Sequence, residues 1–178
     1  MFDVRLTNDD VAVVTKDDNK NRVEVKTLNV SETSSAQLHR IHLRKGKGEI
    51  PLFNEMMEAC QKKDARVVVN IQRSSNTLFK LIADYVRKHD LQNRVIVTSF
   101  NPYVPFMMKK KDSQILTGLS FSSTGITTHF ARTQRDSIVF KYIGQFLDAI
   151  MHVVVDSFVL PTFVGSDVIF LDHKDVNL

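Results

Sequence analysis

Few residues in this chain set a chemically capable side chain where the local pattern does not otherwise ask for one. Asp3 is a carboxylate inside the mostly apolar run Phe2-Asp3-Val4-Arg5-Leu6. A charge there has few structural reasons to exist, and carboxylate oxygens are what hard cations select. Asn70 interrupts Val67-Val68-Val69-Asn70-Ile71. It reads either as a neutral oxygen donor or as an ordinary hydrogen-bonded side chain near a strand end. His39, His42 and His89 sit among charged neighbours and read as solvent-facing. Cys60, alone of its kind, excludes an internal disulfide and any multi-cysteine metal site. It reads as a core residue on the apolar face of a helix. Gly46 and Gly48 lack the preceding strand and following helix that a phosphate loop requires.

The elements that must position these residues are legible from periodicity. Phe2–Leu6 and 11–14 are β-type runs with Asn8-Asp9-Asp10 as turn chemistry between them. Residues 15–49 are polar and weakly periodic, an excursion with one short helix near 34–41. Pro51 at a helix start, followed by Phe53, Met56, Met57 and Cys60, predicts a helix. Residues 67–71 and 94–100 are apolar runs of strand length, buried on both faces, and Leu78, Leu81, Ile82, Tyr85 and Val86 repeat at helical spacing between them. A helix over 103–110 and a strand over 115–119 follow. Strands and crossover helices in alternation predict an α/β fold with a parallel sheet, without separating a barrel from an open sheet.

With 178 residues, 43% of them apolar and 25% charged, the chain is one ordinary globular domain. A net charge of +4 permits contact with anionic lipid or nucleic acid and argues for neither, and no nucleic-acid partner is expected. The opening residues are neither a basic nor an apolar leader region; they read like the middle of a strand.

Residues 137–163 are mainly apolar, yet Lys141, Gln145, Asp148, His152 and Asp156 recur at intervals of 4, 3, 4 and 4. On a helix they form one stripe roughly 80° wide. Such an amphipathic segment is either buried in a core or lies against a membrane or partner. His152 on that stripe reads as structural or interfacial. The Lys109-Lys110-Lys111 run reads as a solvated helix end that would also favour anionic lipid.

Several segments, in order, resemble the glycerophosphodiester phosphodiesterase family. Asp3 to Asp9 and then Val11 to Asp18 look like that family's second barrel strand and following loop, with Arg22 at a family arginine. Ile50-Pro51-Leu52-Phe53-Asn54-Glu55 resembles its Ile-Pro helix start, and Val69-Asn70-Ile71-Gln72 and Arg94 to Phe100 resemble its third and fourth strands. Beyond residue 115, the stretches 119–127, 142–155 and 167–176 resemble the insertion of its membrane-associated animal branch.

The resemblance implies a partial (β/α)8 barrel of the TIM type, running from the second strand to about the sixth and lacking the first and last strands. It implies hydrolysis of a glycerophosphodiester or lysophospholipid-type substrate with Mg²⁺ or Ca²⁺ held by carboxylates, and two histidines as acid and base. On that pattern Asp3 and Asn70 are the metal-ligand positions. Yet the acidic partner two residues before Asp3 falls at Met1, the third-strand carboxylate is Asn70 and its neighbouring lysine is Gln72. The second histidine falls at Lys16, a poor acid near neutral pH unless its pKa is strongly depressed, and otherwise a solvated loop lysine. The expectation is therefore a catalytically impaired or incomplete phosphodiesterase, membrane-associated in the endomembrane system, or cytoplasmic if soluble. The alternative is a non-enzymatic membrane- or partner-binding module.

Overall fold

The structure, a computed structural model, describes residues 1–15, 29–38, 40, 49–121 and 159–171. Lys16, Arg22, His39, His42 and residues 137–158, which hold most of the striped amphipathic segment, lie outside the described residues, as do most of the 15–49 excursion and residues 122–127 and 172–176.

Among the described residues, six strands form one sheet in the order β2-β1-β3-β4-β5-β6. These are β1 (Phe2–Leu6), β2 (Ala12–Val14), β3 (Val67–Ile71), β4 (Val95–Ser99), β5 (Leu116–Phe121) and β6 (Val168–Leu171). β1 and β2 pair antiparallel, while β1, β3, β4, β5 and β6 run parallel in sequence. The helices are α1 (Ser35–Leu38), α2 (Phe53–Lys62), α3 (Asn76–Lys88), α4 (Tyr103–Lys111) and α5 (Val159–Val164). Five parallel strands joined by crossovers are the arrangement of consecutive strands in a (β/α) barrel. The α/β expectation and its partial-barrel form thus agree with the observed sheet.

Alternation along the strands divides the sheet into two unlike faces. Val67, Val69 and Ile71, then Val95 and Val97, point under the helices with Phe53, Leu78, Phe79, Ile82 and Met108, all buried in one cluster. Phe53 meets Tyr85 edge-on at 5.4 Å between ring centres. Cys60 is half-buried and packs against this core, as its spacing predicts.

Several boundaries shift for local reasons. α2 begins at Phe53 rather than at Pro51, because the Pro51 carbonyl accepts from the Val14 amide and Leu52 bridges to Val13. The Glu55 carboxylate then accepts from the Leu52 amide at 2.9 Å, capping the helix. β5 runs to Phe121, two residues beyond the apolar run, because Ser120 and Phe121 pair with Phe170 and Leu171. The Asn8-Asp9-Asp10 turn is present, with Asp10 at φ 58°. Asp9 does more than turn the chain: its carboxylate accepts from the Ser35 amide at 2.9 Å and the Ser35 hydroxyl at 2.6 Å, fastening α1 to the hairpin.

Candidate functional site

The face of the sheet away from the helices carries the polar side chains. Because Asp3 is in register with Asn70, and Asn70 with Thr98, these side chains share that face. Asp3 and Asn70 are both buried, and the Asn70 amide donates from Nδ2 to Asp3 Oδ1 at 2.5 Å. A carboxylate only accepts, so the amide must turn its NH₂ toward Asp3. Its own oxygen, Oδ1, is left buried with no hydrogen-bond partner. Further across the face, the Thr98 and Ser120 hydroxyls meet at 2.8 Å, both buried. Gly118 leaves the space that the Phe170 ring fills: a Cβ there would stand 2.5 Å from Phe170 Cε2.

Two residues further along both strands the next pair is Arg5 and Gln72, with Arg5 Nη2 donating to Gln72 Oε1 at 2.5 Å. Beyond it, the β3–α3 connection brings Arg73, Ser74 and Ser75 to the same end of the sheet, where Arg73 Nη1 donates to the Ser31 hydroxyl at 3.1 Å. Ser75 caps α3, its Oγ accepting from the Leu78 amide. Carboxyl ends of parallel strands are where barrels and open α/β sheets place their ligands.

A second polar cluster locks the far side. The Asp167 carboxylate accepts from the Thr117 amide at 2.7 Å and pairs with Lys109 Nζ at 2.8 Å, tying β6 to β5 and α4. Partial burial pushes its pKa up, but the Lys109 and Thr117 hydrogen bonds and the Lys109 charge outweigh that and hold it below the ordinary carboxylate value. Sequence reasoning gave Asp167 no role. His89, read as solvent-facing, is exposed and stacks on the Tyr85 ring at 4.3 Å.

The structure brings Asp3 and Asn70 together, as the resemblance implies, and the two do not by themselves suit a divalent cation. Mg²⁺ and Ca²⁺ take six or more oxygens, waters and substrate phosphate among them, and carboxylates supply the protein's charge. Here one carboxylate stands beside one amide, and that amide directs a donor rather than an acceptor at it. Among the described residues, no group of three or more acidic, histidine or cysteine side chains converges. Arg5, Arg73 and the start of α3 line a cleft at this end of the sheet that the sequence reading did not single out. The signals were the i, i+2 spacing of Asp3 and Arg5 on a strand, and Ser74-Ser75-Asn76 ahead of a helical period.

No curated protein matches the sequence. Among solved structures, a glycerophosphodiester phosphodiesterase from Agrobacterium tumefaciens aligns over 98% of this chain and 83% of its own, with a TM-score of 0.59 and 16% identity. A glycerophosphodiester phosphodiesterase from Parabacteroides distasonis aligns over 96% and 78%, with a TM-score of 0.54 and 17% identity. A phosphodiesterase from Oleispira antarctica, solved in complex with the product sn-glycerol-3-phosphate, aligns over 97% and 80%, with a TM-score of 0.55 and 16% identity. At such identities the likeness establishes a shared fold. Residues 2–155 match the glycerophosphoryl diester phosphodiesterase family in sequence, so strand order, fold and sequence pattern agree: the chain belongs to that family.

Proposed function

We propose that this chain recognises glycerophosphodiesters or lysophospholipid-type substrates, as its family does, and hydrolyses them poorly. The observation that carries this reading is the Asp3–Asn70 pair. Where the family resemblance calls for three carboxylates, one position falls at Met1, β1 supplies Asp3, and β3 supplies an amide that neutralises none of its charge and donates to its oxygen. A divalent ion bound by the family polarises the phosphate and helps activate a nucleophile. In this chain Asp3 remains as one charged ligand and Asn70 Oδ1 as a neutral one, which supports weak cation binding at most. The test is divalent-dependent release of glycerol 3-phosphate from glycerophosphocholine by the purified chain. Background-level release supports the reading, and release well above background that disappears in Asp3→Ala overturns it.

A second reading, attachment to a membrane surface as in the animal branch of the family, is favoured by a separate observation. Phe100, Tyr103 and Phe106 are exposed beside or on α4, and Phe163, 78% exposed, lies on α5, which contacts α4. The exposed Lys110 and Lys111 end the same helix. Aromatic rings with lysines beside them suit an anionic lipid interface. Among the described residues, no helix is long and apolar enough to cross a membrane, so the attachment proposed is interfacial. Cosedimentation with phosphatidylserine-containing vesicles that survives Phe106→Glu together with Phe163→Glu would sink this second reading.

A further inference from the structure

The backbone leaves the Asp3–Asn70 pair little choice of neighbour. β1 lies between β2 and β3, where the Asp3 carbonyl accepts from the Thr15 amide at 3.0 Å and Asp3 stands in register with Asn70. Asn70 is held in the same way between β1 and β4, in register with Thr98. Neighbouring strands run about 4.8 Å apart, and in-register side chains share a face. The Asn70 amide is therefore carried directly against the Asp3 carboxylate, and both residues are buried there.

From that position Asn70 Nδ2 donates to Asp3 Oδ1 at 2.5 Å. A hydrogen bond to an ionised acceptor is roughly twice as strong as a neutral one, and burial removes the water that would compete for it. The opposite orientation would set Asn70 Oδ1 against the carboxylate, acceptor facing acceptor. Among the described residues nothing donates to Oδ1, and an unpartnered buried acceptor is destabilising. The amide keeps its donor on Asp3 in spite of that loss. Further across the same face, the Thr98 and Ser120 hydroxyls bond to each other at 2.8 Å. A cation site needs oxygens that converge on one space, whereas these polar groups turn toward one another in pairs.

We propose that the Asn70 amide is a built-in substitute for the cation: its Nδ2 hydrogen occupies the place on Asp3 Oδ1 that a divalent ion would take, so Asn70 competes with the ion before it can ligate it. This role rests on the reading of the chain as a family member with an impaired cation layer, and it names the residue that enforces the impairment. Asn70 Oδ1 can turn to an ion only if the amide first lets go of Asp3. An arriving ion must break that bond and shed water as well, which Mg²⁺ does reluctantly. The two roles open to Asn70 carry opposite signs. If it is a ligand, Asn70→Ala removes an oxygen and cation affinity falls. If it is a competitor, the same substitution frees Asp3 and makes room for a partly hydrated ion, and cation affinity rises although an oxygen has gone.

The experiment is calorimetric titration of the full chain with Ca²⁺ and with Mg²⁺, for the parent, for Asn70→Ala, and for Asn70→Ala combined with Asp3→Asn, with circular dichroism as the check on folding. Asn70→Ala should bind about tenfold more tightly than the parent, the ratio for losing a competing hydrogen bond to a charged group. Adding Asp3→Asn should abolish that gain. Equal or weaker binding in Asn70→Ala overturns the proposal, as does a gain that survives Asp3→Asn. Should Asn70→Ala not fold, the parent decides by nuclear magnetic resonance. The side-chain NH₂ signals of Asn70 should exchange slowly with solvent and stay in place in millimolar Ca²⁺, and an ion-dependent shift with loss of that protection overturns the proposal. Divalent-dependent hydrolysis by a parent whose cation affinity still rises in Asn70→Ala overturns only the reading of impaired hydrolysis. Background hydrolysis without that rise overturns only the role given to Asn70.

Discussion

The two faces of the one sheet differ in what decides their residues. On the helix side Val67, Val69, Ile71, Val95 and Val97 are buried among Phe53, Phe79, Ile82 and Met108, and any similar apolar volume would satisfy them. On the other side Asp3, Asn70, Thr98 and Ser120 are buried polar groups whose identity fixes a pairing. The first face holds the fold and the second carries the candidate site. A family member can therefore keep its barrel topology while its cation-binding layer drifts, because the two depend on alternate residues of the same strands.

The sharpest way to break that division is to damage the helix-side face. Phe79→Ala removes a fully buried ring and should cost about 3–5 kcal/mol in urea unfolding, the range for such truncations. A loss below ~1 kcal/mol would mean that this face is not the main source of stability.

The inward face should respond in a different currency. Asn70→Asp sets a second carboxylate against Asp3 and removes the amide donor, which should destabilise the chain by about 1–3 kcal/mol at neutral pH. Millimolar Mg²⁺ or Ca²⁺ should then raise the melting temperature of the variant by more than that of the parent. Equal shifts in both proteins would remove the distinction between this pair and a working cation layer.

This contrast also explains what could be read from the sequence. The helix-side face was legible because burial leaves a period: the apolar runs at 67–71 and 94–100 and the helical spacing from Leu78 to Val86 each gave an element of the right type. The candidate site was legible only where a polar residue broke such a run, as at Asp3 and Asn70. That they face each other follows from strand register, which periodicity does not contain. Arg5 and Arg73 stayed hidden because an arginine near a strand end reads as solvated until a cleft is seen around it. Pro51 misled the start of α2 because its carbonyl is engaged by β2, a long-range bond that no local pattern announces.

Between the faces in effect lies the Asp167 lock, which joins β5, β6 and α4 from the sheet's far side. Asp167→Ala removes the acceptor for the Thr117 amide and for Lys109. Hydrogen bonds to charged groups contribute about 1.5–3 kcal/mol, reduced here because the pair is partly exposed to solvent. A loss of about 1–2 kcal/mol at pH 7 is expected, with an unchanged denaturant slope if the rest of the sheet stays paired. A reduced slope would show instead that β6 and α5 had come away from the sheet in the native state.

The smallest effect should come from Asp9, outside both faces. The Ser35 hydroxyl, then the Thr7 side chain and the Ser35 amide, lower its pKa from 3.8 to about 2. A depressed carboxylate pKa means that the ionised form is favoured in the folded chain, so the contribution is fully present above pH 3.8 and is lost as pH falls through about 2. Asp9→Asn should therefore flatten the acid limb of a stability–pH curve in that window. It should also remove the contribution present at pH 7, a small one because the carboxylate is fully exposed, so that parent and variant converge as pH falls through about 2. Asp9 is solvent-exposed, and its bonds fasten only the short α1, so the change should appear as faster hydrogen exchange around Ser35 before any shift in global unfolding. Parallel acid limbs for the parent and Asp9→Asn would mean that the Asp9–Ser35 contact is no stronger in the folded chain than the water it displaces.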